Sequence, residues 1–169
     1  MRTGSTLVLC AAAAVVACGP PPVEEARSAP AFELQGLNGG RASNASFKGK
    51  VVVMDFWATW CGPCITEMPH YADFARRNSG RGVEVVGVVF ESGEPQEIRE
   101  FVQEHRIAYR QLLGTEEVAD AFGADQGFPT TFVIDGDGVI RLKVLGSTPD
   151  KFDRLQEAVD EALKAASRS

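Results

Sequence analysis

The chain reads Lys50-Val-Val-Val-Met-Asp-Phe-Trp-Ala-Thr-Trp-Cys-Gly-Pro-Cys64 at the place that decides its fold. The first half of this stretch is a nearly continuous run of β-branched, apolar and aromatic side chains, which predicts a strand buried on both faces. After Cys61, apolar residues recur at helical spacing until residues 78–80, Asn-Ser-Gly, which form a helix stop. Two cysteines, Cys61 and Cys64, therefore lie where a central strand passes into a helix, and Pro69 is expected to kink that helix.

The segments on either side predict further strands and helices. Asn38-Gly39 is a strong turn signal between two short stretches, and it predicts an N-terminal β-hairpin. Asp135-Gly-Asp-Gly138 predicts a second hairpin near the other end, and Thr148-Pro149 opens the last helix with the proline in its first turn. The predicted elements are strands at 83–90, 109–112, 130–134 and 139–144, and helices at 96–105, 116–122 and from 148 onward.

This order of elements predicts an α/β fold. Strand, helix, strand and helix in succession imply parallel pairing in the middle of the sheet, whereas the hairpins add antiparallel strands. We expect a central mixed β-sheet flanked by helices on both faces, with the N-terminal β-hairpin as an extension. No repeat or low-complexity tract interrupts residues 31–169, so this range is predicted to be a single domain.

Composition excludes one class of partner. The 169 residues contain 17 basic and 23 acidic side chains, a net charge of −6, and no long basic run that would bind phosphate backbones. Nucleic acid is therefore not expected as a partner. Four cysteines are too few for a disulfide framework in a domain of this size, and they divide into Cys10 and Cys18 near the start and Cys61 and Cys64 in the body.

The first 30 residues predict export and attachment to a membrane. Residues 1–18 contain an apolar run that is long enough for a signal peptide but short for a spanning helix. Val15-Val-Ala-Cys18 resembles the bacterial lipoprotein box, in which the cysteine is lipidated. The alternatives are ordinary cleavage near Ala17 or an uncleaved apolar N-terminus. Residues 19–30 are proline-rich and predict an extended tether, so the domain is expected to be extracytoplasmic, on the periplasmic or cell-envelope side.

The Cys-x-x-Cys pair predicts thiol-disulfide chemistry. At the first turn of a helix, free backbone N–H groups and the helix dipole favour the thiolate of Cys61, so its pKa is expected to be lowered. Cys61 is then the nucleophile, and Cys64 resolves the mixed disulfide by attacking the Cys61 sulfur. A zinc half-site, a permanent disulfide and two buried thiols are the alternatives. Zinc needs about four ligands, and the only other soft candidates in the body are His70 and His105, so no metal is predicted.

Three motifs together resemble the thioredoxin superfamily, most closely its membrane-tethered TlpA/ResA-like branch. They are Phe56-Trp-Ala-Thr-Trp-Cys-Gly-Pro-Cys64, Glu67-Met-Pro69 and Gly127-Phe-Pro-Thr-Thr-Phe-Val-Ile-Asp135. The resemblance spans about residues 30–165 and implies a thiol-disulfide oxidoreductase whose only redox group is its own disulfide, without a cofactor. It further implies disulfide-bearing protein substrates, including apocytochrome c before haem attachment, and a transmembrane thiol donor of electrons.

The resemblance also implies roles for residues around the dithiol. Pro129 matches the family's cis-proline, which would leave the Phe128 backbone free to pair with an extended substrate beside Cys61. Trp57 and Trp60 flank the site, and Trp60 is expected to offer an apolar surface to protein substrates, whereas Trp57 fits a place at the site and core packing equally well. The full predicted substrate-binding set is Trp60, Gly62, Pro63, Phe128 and Thr130.

Two carboxylates are candidates for proton transfer. Asp55 falls in the buried strand, at the position where thioredoxins have a buried acid, and burial would raise its pKa. Many tethered relatives have an uncharged residue there. Glu67 matches a glutamate that members of the ResA-like branch place near the dithiol. The alternatives are a paired structural acid for Asp55 and a solvated helix carboxylate for Glu67, and the sequence leaves the choice of proton acceptor open.

Other functions compete with the leading one. A peroxiredoxin-like thiol peroxidase would share the N-terminal hairpin, but the expected threonine-to-cysteine spacing is absent. A lipoprotein binding module would use the fold without its thiols, and the intact Cys61, Cys64 and Pro129 count against it. Gly62-Pro63 resembles the linker of reducing thioredoxins, so we predict a reductant. A monomer is the expected state.

Overall fold

The computed structural model describes residues 27–168, in which one eight-stranded sheet is flanked by four α-helices and one 3-10 helix. The predicted leader, Cys18 and residues 19–26 of the predicted tether lie outside this range. The strands are β1 (Arg27–Ser28), β2 (Glu33–Gly36), β3 (Arg41–Ser43), β4 (Val51–Trp57), β5 (Val83–Val89), β6 (Arg110–Leu113), β7 (Thr130–Ile134) and β8 (Val139–Leu145). The helices are the 3-10 helix (Asn44–Phe47), α1 (Gly62–Arg77), α2 (Pro95–Glu104), α3 (Glu116–Phe122) and α4 (Lys151–Ala166).

The sheet has the mixed topology that the sequence predicts. Its strand order is β1-β8-β7-β4-β5-β6-β2-β3, with β4 in the interior. β4 pairs in parallel with β5, and β5 with β6, because a helix connects each pair. β7 and β8 form the predicted hairpin and add antiparallel strands beside β4. The N-terminal hairpin of β2 and β3 joins the opposite edge through β6.

Alternate residues of β4 face two separate cores. Val51, Val53 and Trp57 face the side that α1, α2 and α4 cover, which we call the helical face. Val52, Met54 and Phe56 face the core beneath α3 and the 3-10 helix. Because every residue of β4 is buried, the strand needs the uninterrupted apolar run seen in the sequence. The odd-numbered Asp55 points to the helical face, where it contacts Tyr71 of α1.

Two boundaries differ from the predicted ones. The tether was predicted to extend to residue 30, but Arg27 and Ser28 pair with Ile140 and Val139 of β8, so the sheet already includes them. Pro149 lies before α4 instead of in its first turn. Residues 148–151 form a separate turn, with the Lys151 N–H bonded to Thr148 O at 3.1 Å, and Asp150 occupies the N-cap position of the helix without a capping hydrogen bond from its side chain.

The remaining elements lie within a residue or two of the predicted bounds. Helix α1 runs through Pro69, and the kink predicted there stays a prediction. Within residues 27–168, no helix has both the length and the apolar character needed to cross a membrane.

Candidate functional site

The two cysteines form a disulfide at the start of α1. Cys61 is the N-cap residue and Cys64 lies in the first turn, with their Cα atoms 5.3 Å apart. The Cys64 N–H donates a hydrogen bond to the Cys61 Sγ at 3.2 Å. A free N–H of the first turn therefore points at this sulfur, and together with the helix dipole it favours the Cys61 thiolate after reduction. Both cysteines are buried, Cys64 more deeply than Cys61.

The loop after β5 fixes the residues that precede Cys61. The Thr59 N–H donates to the Ser92 Oγ at 2.9 Å, and the Trp60 Nε1 donates to the Glu91 carbonyl at 2.9 Å. Glu91 has a φ of 49°, in the left-handed region that non-glycine residues seldom adopt. The indole of Trp60 is 63% exposed, so its ring stands beside the dithiol as an open apolar surface.

The loop before β7 forms the other wall of the site. The Phe128–Pro129 peptide bond is cis, which agrees with the expectation taken from the resemblance. The Phe128 ring packs against Trp60 and Phe90, with centroids 5.7 and 6.1 Å away. The Pro129 carbonyl accepts the Gly146 N–H at 2.7 Å. Within residues 27–168, neither backbone group of Phe128 has a hydrogen-bond partner, so both are free to pair with a bound chain.

The predicted substrate-binding residues divide into two groups. Gly62 and Pro63 are exposed on the first turn of α1, beside Trp60 and Phe128. Thr130 does not join them, because its side chain is fully buried and its Oγ1 donates to the Gly127 carbonyl at 2.6 Å. Its hydroxyl ties the loop before β7 to the strand. Trp57 is core packing, with its Nε1 donating to the Gln111 Oε1 at 2.9 Å.

Asp55 is buried on the helical face in a triangle of oxygens. Its Oδ1 lies 2.9 Å from the Tyr71 hydroxyl and 2.8 Å from the Thr131 Oγ1, and these two hydroxyls are 2.7 Å apart. Both hydroxyls donate to Oδ1, and one carboxylate oxygen can accept two such bonds. These two hydrogen bonds favour the ionised carboxylate and lower the pKa of Asp55.

Burial has the opposite and larger effect on the pKa of Asp55. Desolvation raises its pKa from 3.8 to about 6, opposed by the charge of Lys151 and by the hydrogen bonds from Thr131 and Tyr71. Tyr71 reaches this site from α1, two turns after Cys64. Tyr71, Cys61 and Cys64 belong to the same core on the helical face, and the Tyr71 hydroxyl joins Asp55 to it.

Glu67 lies on the same face of α1 but has a different environment. It is buried, which excludes the solvated carboxylate that was one reading of the sequence. The Lys151 Nζ donates to one of its carboxylate oxygens at 2.6 Å, and the Ser147 Oγ donates to the other at 2.5 Å. Lys151 is itself fully buried, and its Nζ lies 5.4 Å from the centre of the Tyr71 ring.

Sequence reasoning missed Lys151, Tyr71 and Thr131 as members of this site. Tyr71 was placed in the apolar stripe of its helix, and Thr131 was part of a quoted motif, but neither had a functional reading. A signal for Lys151 was present, since it shares one helical face with Leu155, Val159 and Ala162. A lysine in an apolar stripe predicts a buried cation, and a buried cation needs an acidic partner.

The two histidines have no part in the site. His70 is exposed and packs against the Phe152 ring, whereas His105 stacks on Phe101 at 3.9 Å. In the described part of the chain, no three His, Cys, Asp or Glu side chains come close enough together to hold a metal ion.

Known proteins are similar to this chain in sequence and in structure. Residues 26–143 match the AhpC/TSA family. The chain is 34% identical over 154 residues to the thiol-disulfide oxidoreductase ResA of Bacillus subtilis, covering 87% of this chain and 84% of that protein. It is 33% identical over 131 residues to the thioredoxin-like protein YneN of the same organism, covering 76% of each.

Solved structures agree with these relatives. A thiol:disulfide interchange protein of the thioredoxin family from Chlorobium tepidum has a TM-score of 0.69 at 30% identity, covering 82% of this chain and 97% of that one. The thioredoxin domain of a thiol-disulfide oxidoreductase from Bacteroides vulgatus also has a TM-score of 0.69, at 26% identity, covering 79% of this chain and 96% of that one.

Proposed function

We propose that this chain reduces disulfide bonds in exported proteins. It belongs to the AhpC/TSA family and is a TlpA/ResA-like thiol-disulfide oxidoreductase of the thioredoxin superfamily. The observation that carries this proposal is the Cys61–Cys64 disulfide at the N-terminus of α1, where the protein stabilises a thiolate. The direction rests on Gly62-Pro63 between the cysteines, the linker of reducing thioredoxins.

The reaction proceeds by two exchanges of disulfide bonds. The Cys61 thiolate attacks one sulfur of the substrate disulfide, and the other substrate sulfur leaves as a thiolate. Cys64 then loses its proton and attacks the Cys61 Sγ, which breaks the mixed disulfide and releases the second substrate thiolate. The substrate gains two electrons and two protons in all, and the protein finishes with the Cys61–Cys64 disulfide. A dithiol donor on the membrane must reduce it again.

The walls of the site support a protein as the substrate. The unpaired backbone of Phe128 can form strand-like hydrogen bonds with an extended segment that passes Cys61. Trp60, Phe90 and Phe128 offer rings against which its side chains pack. These contacts recognise backbone and general apolar character, so they fit a range of unfolded or partly folded exported proteins.

The position of β1 supports attachment to a membrane through Cys18. Arg27 pairs with Ile140, and β8 runs from there toward Leu145, which pairs with Thr130 near the dithiol. The chain therefore enters the sheet at the end opposite to Cys61. The eight residues between Cys18 and Arg27 span at most about 30 Å. A lipid on Cys18 would hold the domain close to the membrane, within reach of both exported substrates and a donor on the membrane.

Capture of the mixed disulfide tests the proposed function. In Cys64→Ser, the first exchange still occurs but the resolving thiol is missing, so the variant is expected to stay bound to its substrate. The probe is a disulfide-bonded peptide with the haem-attachment sequence Cys-x-x-Cys-His, alongside an unrelated disulfide peptide, and the adduct is detected by non-reducing gel and mass spectrometry. Cys61→Ser is the matched control and should capture neither peptide. No adduct with Cys64→Ser would contradict the proposal.

A further inference from the structure

The loop after β5, residues 90–94, is bonded to the segment just before the dithiol. The Thr59 N–H donates to the Ser92 Oγ, and the Trp60 Nε1 donates to the Glu91 carbonyl, both at 2.9 Å. The first of these acceptors is a side chain and the second is a backbone carbonyl. Ser92 is therefore a side chain outside the Cys-x-x-Cys motif that bonds directly to the residues before it.

We propose that Ser92 is a positioning residue for substrate selection: its hydroxyl fixes Trp60, and the fixed indole favours peptide disulfides with a large apolar side chain beside the attacked cysteine. This inference deepens the proposed function and rests on it, since it names the class of exported substrate that the same dithiol reduces best. A small disulfide that does not reach the indole reacts independently of Ser92.

The hydroxyl of Ser92 has one hydrogen, and its contacts fix where that hydrogen points. The Oγ donates to the Phe90 carbonyl at 2.9 Å, which leaves a lone pair of the oxygen for the Thr59 N–H. The side chain is half-buried, so these bonds are partly shielded from competing water. The hydroxyl therefore closes the loop after β5 on itself and joins this loop to Thr59 at the same time.

Glu91 lies between the two ends of the bond that Ser92 forms within its own loop. Its φ of 49° is in the left-handed region, which a residue with a side chain adopts only where its surroundings hold it. The bond from Ser92 to Phe90 spans Glu91 and supports this conformation. The Glu91 carbonyl, held in this way, accepts the Trp60 Nε1–H. One hydroxyl therefore supports both the backbone before Trp60 and the partner of its indole.

Trp60 needs this support because most of its ring has no protein packed against it. The side chain is 63% exposed, and the centroid of the Phe128 ring lies 5.7 Å from its own. Phe128 in turn lies 6.1 Å from Phe90, so the three rings form one apolar surface beside the dithiol. A ring that is already fixed loses less conformational entropy when a substrate packs against it, so the fixed indole binds an apolar side chain more tightly.

The contacts of Cys61 place this effect in binding and not in the exchange of disulfide bonds. The Cys61 Sγ accepts its hydrogen bond from the Cys64 N–H, and the Cys61 N–H donates to the Ala58 carbonyl at 3.1 Å. Neither bond involves Ser92. Loss of the Ser92 hydroxyl should therefore weaken the binding of a peptide and leave the reactivity of the dithiol unchanged.

Ser92→Ala in the full chain tests the proposal with three disulfides. Two are disulfide-bonded peptides that differ only in having phenylalanine or serine beside each cysteine, and the third is 2-hydroxyethyl disulfide. The reduced chain is mixed with an excess of each, and its oxidation is followed by thiol trapping over a range of concentrations. For the phenylalanine peptide, the half-saturating concentration should rise by about fivefold to tenfold, with the limiting rate unchanged.

The other measurements separate positioning from a general loss of structure. The serine peptide, 2-hydroxyethyl disulfide and the reduction potential should be the same for Ser92→Ala as for the wild type. Ser92→Thr keeps the hydroxyl and should restore the preference for the phenylalanine peptide. Ser46→Ala is the matched control, because the Ser46 Oγ also accepts a backbone N–H, that of Ser43 at 3.0 Å, in the 3-10 helix on the other face of the sheet. It should change none of these values.

Hydrogen exchange locates the effect without any substrate. In Ser92→Ala, the Thr59 amide and the Trp60 indole N–H should exchange about tenfold faster than in the wild type. The Trp57 indole N–H, which donates to Gln111, should exchange at its wild-type rate. In a Trp60→Ala background, Ser92→Ala should have no further effect on the phenylalanine peptide, because the ring through which it acts is gone.

Three outcomes would overturn the proposal. They are an unchanged preference for the phenylalanine peptide in Ser92→Ala, an equal loss of rate with all three disulfides, and equally faster exchange of the Trp57 and Trp60 indoles. Failure of the wild-type chain to reduce any of the three disulfides would instead contradict the proposed function, and the substrate preference with it. The exchange rates of Thr59 and Trp60 would still show whether Ser92 fixes the indole.

Discussion

At the scale of single residues, Asp55 is an acid whose ionised form is disfavoured by burial. It is 2% exposed, its oxygens face hydroxyl groups, and the one cation that affects it is bonded to another acid. A free aspartate in the unfolded chain titrates near pH 3.8. Folding therefore gives this group a higher affinity for its proton, and the protein is less stable where Asp55 must ionise.

We expect Asp55→Asn to stabilise the protein at pH 8. A rise in pKa from 3.8 to about 6 corresponds to a cost of about 3 kcal/mol for ionised Asp55. Asparagine keeps an oxygen that accepts from Tyr71 and Thr131, and it cannot ionise. Urea unfolding from pH 3.5 to pH 8 measures the free energy of unfolding of both proteins.

The sign of the pH dependence follows from the direction of this shift. Between about pH 4 and pH 6 the folded state holds the Asp55 proton and the unfolded state does not, so the stability of the wild type falls across this window relative to the variant. The exposed Asp125→Asn is the control and should differ from the wild type by less than about 0.5 kcal/mol at every pH. A difference between wild type and Asp55→Asn that stays constant with pH would contradict this reading.

The sequence predicted both acids of the site but could not separate their roles. Asp55 was identified by its place in a buried strand and by its match to the buried acid of thioredoxins, and Glu67 by its match to a glutamate of the ResA-like branch. The two acids differ in their hydrogen-bond partners. These are Tyr71 and Thr131 for Asp55 and Lys151 for Glu67, and they come from three elements far apart in the chain. A contact that depends on the packing of α1, β7 and α4 has no signature in any local pattern.

At the scale of elements, one buried ion pair joins α1 to α4. Lys151 and Glu67 are both buried, and Ser147, just before α4, completes the set of donors to the carboxylate. The removal of one partner from such a pair leaves an unpaired charge in the core, whereas the removal of both avoids that penalty. We therefore expect the loss of one charge to destabilise the protein more than the loss of both.

We expect Lys151→Met alone to lower the free energy of unfolding by about 3–5 kcal/mol at pH 7, since it strands the Glu67 carboxylate. The double variant Lys151→Met/Glu67→Gln should recover most of this loss. Guanidinium unfolding of the disulfide form measures both, and Lys50→Met, which breaks an exposed pair with Glu84, should cost less than about 1 kcal/mol. Equal losses in the single and double variants would show that the pair is not the source of the effect.

The sequence predicted that most helices and strands exist more reliably than it predicted the residues at which they begin. Helix α4 was recognised from its apolar spacing, but Pro149 was placed in its first turn. The observed start at Lys151 follows a turn closed by the Thr148 carbonyl, which accepts the Lys151 N–H. β1 was missed because Arg27 and Ser28 have no apolar pattern, and they become a strand only beside the free edge of β8.

At the scale of the whole molecule, the first described strand and the dithiol lie at opposite ends of the sheet. The chain joins the sheet at Arg27, next to Ile140, and the dithiol lies at the other end of β4. Most of this architecture follows from the sequence, since the interior strands are uninterrupted apolar runs and their connections fix parallel or antiparallel pairing. The edges of the sheet and the ion pair beneath the dithiol depend on tertiary packing alone.

The reduction potential of the Cys61/Cys64 couple tests the central claim most directly. The full chain is equilibrated in dithiothreitol or glutathione buffers of known potential, and the fraction of disulfide is measured by thiol trapping. A reductase should have a value near that of thioredoxin, about −270 mV, which is low enough to reduce substrates and to require a donor. A value near about −120 mV, that of a strong oxidant, would contradict the proposed direction. The absence of any redox transition would contradict the proposed chemistry itself.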